Sequence, residues 1–294
     1  MQLPKICAFA LLALALSCAP KPHSPSTNTN MPPPVTPSAL GQMIAARDWR
    51  AVDQARALGP PATAEAGAQL SSADAEVRFL ALHCVLAAGG PETPRWLLKC
   101  LSDEDEQTQN TAAKALLEHP PRDLEAEAFV TWDRQTNPTV RYYLALSLGL
   151  TGAAAQPGLQ QRLAGAGSGQ PPSTTDSLVG ALARLRDREA RAALRQMLSG
   201  AFASRIPAVL EVFRYVDDPA LAKFLRPLMG HLEDAVDLST HATEFSRRGC
   251  DLAIDELARI APGKLSFPAN TSVRYNPSQI AEATRYLDSL PDPN

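Results

Sequence analysis

The strongest constraint on this chain is a short motif that returns at nearly constant spacing. Asp74, Ala75, Glu76, Val77, Arg78, Phe79 and Leu80 place an acid, two spacers, an apolar residue and an arginine ahead of an Ala/Leu-rich stretch. Asn137, Pro138, Thr139, Val140, Arg141 and Tyr142 repeat that order. Between them Asp105 to Ala113 keeps the register with polar replacements, and Gln109 stands where the arginine belongs. Val77, Thr108 and Val140 are then 31 and 32 residues apart. Weaker echoes follow near Thr174, at Ile206 and at Arg247. A unit of this length cannot bury its apolar face alone, so successive units must stack.

The units read as helices. Leu40, Met43 and Ile44, then Trp49, Val52, Ala55 and Leu58, recur at the three- and four-residue spacing of one helical face. Period-two alternation is not needed for any segment, so strands are not expected. Apolar residues make up 45% of the chain but aromatics only 5%, so Leu, Ala and Val must build an interior of closely approaching helices. Asp74, Asn137 and either Ser173 or Thr174 stand where N-caps are wanted. Arg78 follows Asp74 by four residues, and Arg248 follows Glu244 by four, which puts each pair on a helical face. A long helix is expected from near Thr240. Asn276 and Pro277 open a last helix whose Ile280, Ala283, Thr284, Leu287 and Leu290 would cap the array.

On these motifs, clearest at 74–86 and 137–150, residues 62–261 resemble the HEAT-repeat family and its bacterial HEAT-like members. The resemblance implies an all-α, right-handed α-solenoid of about six helix pairs over residues 39–290. It makes Asp74, Arg78, Arg141, Arg248 and Asp251 structural positions, with the arginines reaching acids of neighbouring repeats. It also implies protein binding through an extended surface. Some bacterial HEAT-like proteins resemble lyases that attach or isomerise a tetrapyrrole, which is the rival implication.

Ahead of the array lie two further segments. Lys5 precedes an apolar run from Ile6 to Leu16, and Ser17 precedes Cys18. That run is too short to span a bilayer and reads as a secretory signal over residues 1–17. It resembles a bacterial lipoprotein signal, which implies lipidation (palmitate) at Cys18 and a bacterial cell-envelope location. Ala19 rather than Asp after the cysteine implies the outer membrane, facing the periplasm. Residues 18–38 are rich in Pro, Ser, Thr and Asn, bury almost nothing, and read as a disordered tether.

The chemistry-bearing residues are few. The formal charge of −3 supplies no field for nucleic acid. No nucleophile elbow, zinc-protease motif, phosphate loop or dinucleotide fingerprint occurs. Gly165 to Gly169 lacks the Lys-Ser/Thr of a phosphate loop and reads as an interruption of the array. Cys84 and Cys100 fall on the two helices of one repeat, and are either a disulfide or two buried small hydrophobes; Cys250 would be the odd thiol. His231, Asp234, Asp237 and His241 cluster loosely, but read as helix-end polar residues rather than metal ligands. No cofactor is expected. The second helices carry Arg95, Lys99, Arg162, Arg191, Arg195, Lys223 and Arg226, a candidate basic face for an acidic partner. Glu92, Asp133 and Glu189 share those helices, which favours a solvated mixed-charge face. The expected function is a lipid-anchored, non-catalytic protein-interaction scaffold with one unidentified protein partner. The alternatives are tetrapyrrole or ligand handling, and a structural envelope spacer.

Overall fold

The computed structural model describes residues 37–166, 172–237 and 246–293. The expected signal, the expected lipidation site Cys18, the expected tether up to residue 36, most of the Gly-rich interruption, Glu244 and His241 lie outside the described residues. At the amino end stand α1 (Pro37–Ala45), α2 (Arg50–Leu58) and α3 (Pro61–Gln69). The array continues through α4 (Ala75–Ala88), α5 (Thr93–Cys100), α6 (Glu106–Ala115), α7 (Glu125–Arg134), α8 (Pro138–Gly149) and α9 (Gln156–Gly165). It then runs through α10 (Pro172–Arg184), α11 (Arg188–Ser199), α12 (Ile206–Val216) and a long 3-10 helix (Pro219–Gly230). Strands β1 (Asp234–Asp237) and β2 (Ser246–Arg248), α13 (Gly249–Ile260) and α14 (Pro277–Ser289) close the chain.

The fold is an all-α helical solenoid of two layers. Helices α2, α4, α6, α8, α10, α12 and α13 pack one on the next. Helices α5, α7, α9, α11 and the 3-10 helix flank them, each against its partner or the following unit. One apolar cluster runs unbroken from Leu40 to Leu287, dominated by Leu, Ala and Val as the composition requires.

The repeated acid is a helix N-cap. Asp74 accepts from the amides of Glu76 (2.9 Å) and Val77 (3.3 Å), Asp105 from Thr108 (2.8 Å), and Asn137 from Thr139 (2.9 Å). In the later unit Asp187 performs this role for α11, accepting from Ala190 at 2.9 Å. Ser173 and Thr174 are not caps. Pro172, suited to a first helical turn, starts α10 before them and places both inside the helix.

The repeated arginine ties one unit to the next. Arg78 on α4 grips Asp103, in the turn before α6, with two 2.8 Å hydrogen bonds, Nε to Oδ2 and Nη2 to Oδ1. Both side chains are nearly enclosed, at 12% and 6% exposure. Gln109, at the equivalent place on α6, instead donates to the Asp103 carbonyl and accepts from Asn137 Nδ2 at 3.0 Å. Arg141 lies over the Trp132 ring at 5.0 Å, and its carbonyl accepts from the Trp132 indole at 3.2 Å. Further rungs of similar sequence separation join Arg162 to Asp133, Arg191 to Asp218 and Arg205 to Asp176.

One tie spans three first-layer helices. The Tyr215 hydroxyl, from α12, crosses α10 and donates to the Leu146 carbonyl on α8 at 2.5 Å. Glycine makes the crossing possible: a Cβ on Gly149 would meet the Tyr215 hydroxyl and lie 2.8 Å from the Ala181 Cα. A Cβ on Gly180 would lie 2.7 Å from Val212. The small residues are thus a condition for the close approach of α8, α10 and α12.

The carboxyl-terminal end departs from the helical expectation. Pro219 and Pro227, the latter without an amide to donate from the interior, accompany a 3-10 rather than an α segment. An antiparallel β1–β2 pair follows. Arg248 therefore ends a strand and forms the N-cap of α13, and helical spacing from Glu244 does not describe it. Its guanidinium donates to Asp251 (Nη2 to Oδ1 2.8 Å) and to the Tyr275 carbonyl (2.6 Å), within its own unit rather than across a repeat boundary. Burial opposes ionisation of Asp251, but the Arg248 bonds and the Tyr275 amide outweigh it and hold the carboxyl below its usual range. Beside it the buried Arg247 pairs with Asp255 at 2.6 Å, which also accepts from the Tyr275 hydroxyl at 2.6 Å. Helix α14 caps the array as expected: Asn276 and Gln279 form a capping box, and Ala283 and Leu287 are buried.

Three substitutions probe this packing. Arg78→Met leaves Asp103 enclosed without its cation and should lower unfolding free energy by about 3 kcal/mol in denaturant titration. Arg50→Met, whose pair with Asp48 is solvated at 83% exposure of the arginine, should leave the denaturant midpoint essentially unchanged. Equal effects would contradict the rung assignment. Gly149→Ala should cost about 1–3 kcal/mol through overpacking, read as a fall in melting temperature.

Candidate functional site

Most cations of the expected basic face are committed to partners. Arg95 lies 3.4 Å from Glu92, and Lys99 donates to Ser71 Oγ at 2.9 Å while sitting 5.4 Å from the Trp96 centroid. Arg162 pairs with Asp133 at 2.5 Å and stacks 4.2 Å from the Phe129 centroid. Arg191 pairs with Asp218 at 2.5 Å, Lys223 with Asp292 at 3.3 Å, and Arg226 with Asp288 at 2.6 Å. Lys223 and Arg226 lie on the 3-10 helix rather than an α-helix. Arg195 is exposed, 5.8 Å from the Phe224 centroid, with no carboxylate within ion-pair distance among the described residues. The outcome is a face of alternating charge.

The disulfide reading is corrected. Cys84 and Cys100 are separate free thiols, each enclosed in the continuous apolar core. Burial pushes both thiols up to about 12, far from a reactive thiolate near neutral pH. Cys250 is likewise free and buried; burial, then the adjacent Asp251, raise it. No group of three metal-ligating side chains occurs among the described residues. Asp234 is held by Arg274 at 2.5 Å instead.

A groove that the sequence did not reveal opens between α10 and α11 and ends at the start of α12. It encloses about 480 Å³. Val179, Ala193 and Met197 supply apolar walls, and Gln196, Asp176 and Arg205 the polar positions. Asp176 sits on the otherwise apolar face of α10 and is 8% exposed. Burial raises its pKa while Arg205 opposes the rise, donating from Nη2 alone to Oδ1 (2.8 Å) and Oδ2 (2.9 Å). Arg205 itself remains 34% exposed along its side chain. Phe202, between the lining residues Gly200 and Arg205 in sequence, is 65% exposed. The groove thus sets one anchored guanidinium against apolar walls, the composition common to ligand clefts. The sequence signal was faint: one acid on an apolar helix face, and one aromatic in the small-residue stretch from Gly200 to Ser204.

No protein-family model matches the chain, and no curated protein matches it. Among solved structures it is similar to the complex of CpcE and CpcF of phycocyanin lyase from Nostoc sp. PCC7120. The TM-score is 0.49 at 15% identity, over 93% of this chain and 100% of that chain. That lyase's chemistry belongs to that complex; the functional reading of this chain rests on its own residues.

In the native protein at mildly alkaline pH, Cys84, Cys100 and Cys250 should resist a maleimide reagent, and all should react promptly once denaturant is added. Rapid native labelling of any of them would contradict the burial assigned here.

Proposed function

We propose that the chain is a non-catalytic protein-binding scaffold of the bacterial cell envelope, lipid-anchored at Cys18, with the α10–α11 groove as its principal recognition site. The observation that carries this reading is Phe202, a large exposed aromatic in the connection from α11 to α12, three residues before Arg205, which borders the apolar cleft. Burying such a side chain against a partner contributes about 1.5–3 kcal/mol. Met197 adapts its unbranched chain to the entering group. The second guanidinium edge of Arg205, already oriented by Asp176, receives a carboxylate or carbonyl from the partner. The partner is thus a polypeptide offering an apolar side chain beside an acceptor. At the other end of the chain, acyl groups on Cys18 contribute about 0.8 kcal/mol per buried methylene to membrane attachment. Pigment attachment through a thiol draws no support from Cys84, Cys100 or Cys250, which are all buried and raised in pKa.

The test is crosslinked affinity purification from envelopes with the native chain, Phe202→Asp and Cys18→Ala. The native chain should bring down one stoichiometric protein. Phe202→Asp should reduce its recovery at least about tenfold while keeping native helicity, as loss of an anchor residue does. Cys18→Ala should shift the bait out of the membrane fraction. Bait alone, equal recovery with Phe202→Asp, or a co-purifying visible absorbance band would overturn the reading.

A further inference from the structure

An acidic run opens the second repeat: residues 103–106 read Asp-Glu-Asp-Glu. Arg78 neutralises Asp103, Asp105 accepts from Thr108 as the α6 N-cap, and Glu104 and Glu106 have no cation within ion-pair distance among the described residues. Asp105 borders a cavity of about 350 Å³ together with Glu76, Phe79 and Trp49. Trp49 is 54% exposed. Its ring meets Phe79 edge-on, with centroids 6.1 Å apart and planes at 68°, and His83 closes the cluster 5.5 Å from Trp49. Burial lowers the His83 pKa, so that ring presents a neutral π surface. Arg47, at the cavity edge, is occupied by Asp74 and by Glu76, the latter at 3.0 Å.

We infer that this aromatic corner and its uncompensated acidic rim form a second docking surface, for a Lys/Arg-bearing polypeptide segment. A cationic side chain laid on the open face of Trp49 gains a cation–π contact, while its head group meets the acidic rim. The positive sign of the partner follows from the carboxylates of Glu104 and Glu106, which have no ion-pair partner among the described residues. The inference rests on the scaffold reading but not on the α10–α11 groove, which presents a guanidinium and selects acceptors.

The experiment is a tryptophan-fluorescence titration of the full chain, because Trp96 and Trp132 are more buried than Trp49 and the exposed ring reports locally. The probes are a Lys/Arg-rich peptide, an acidic peptide and a neutral proline-rich peptide. The basic peptide should give a saturable change that weakens as salt rises from roughly 0.05 to 0.3 M. Glu104→Lys with Glu106→Lys should raise Kd at least about tenfold. Trp49→Ala should abolish the signal and, by calorimetry, weaken binding. Phe202→Asp should leave the titration unchanged. No saturable binding, equal binding of the acidic or neutral peptide, or an unaltered Kd in the Glu104/Glu106 variant would overturn the inference. A Phe202-dependent partner recovered alongside such a failure would leave the scaffold reading standing.

Discussion

The array depends on polar ties made at the repeat distance. Apolar burial drives helices together but has no direction, and an Ala/Leu interface tolerates sliding between neighbouring helices. The Arg78 fork on Asp103 has direction: two parallel hydrogen bonds hold α4 at one offset from the turn that begins α6. Enclosure makes that tie consequential, since an exposed pair such as Arg50–Asp48 is screened by water. Arg162–Asp133 and Arg191–Asp218 serve the second layer in the same way, with Phe129 beneath Arg162 adding a stacking face.

Those ties also govern what the surface offers a partner. Cations placed on the second helices are largely consumed by neighbouring carboxylates, so the array does not present a basic stripe. What remains free is local. Phe202 stands exposed in the α11–α12 connection, three residues from Arg205, which borders one groove. Trp49 stands exposed at another, beside Asp105.

Local signals were readable in proportion to how local their physics is. Asp74, Asp105 and Asn137 act on amides two or three residues away, so spacing alone locates them. The capping box at Asn276 and Gln279 was foreshadowed by Asn-Pro for the same reason. Ser173 and Thr174 misled because Pro172 starts the helix ahead of them and places both inside its first turn. Arg248 misled because β1–β2 pairing overrides helical spacing there, and a two-strand pair is decided by contacts between segments. The Tyr215–Leu146 tie joins residues 69 apart, and the path that Gly149 and Gly180 clear for it has no signature in either segment.

The sequence by itself determined that the chain is helical, that its units recur every 31 or 32 residues, and that an Asp or Asn caps each clear unit. Those properties depend on backbone geometry and nearest neighbours. Only the tertiary structure decided which charges cancel, that the thiols of Cys84 and Cys100 are enclosed apart, and that Asp176, Met197 and Arg205 share one groove. Charge pairing, burial and cavity shape depend on the relative placement of separate helices, and that placement is set by packing across units rather than along the chain.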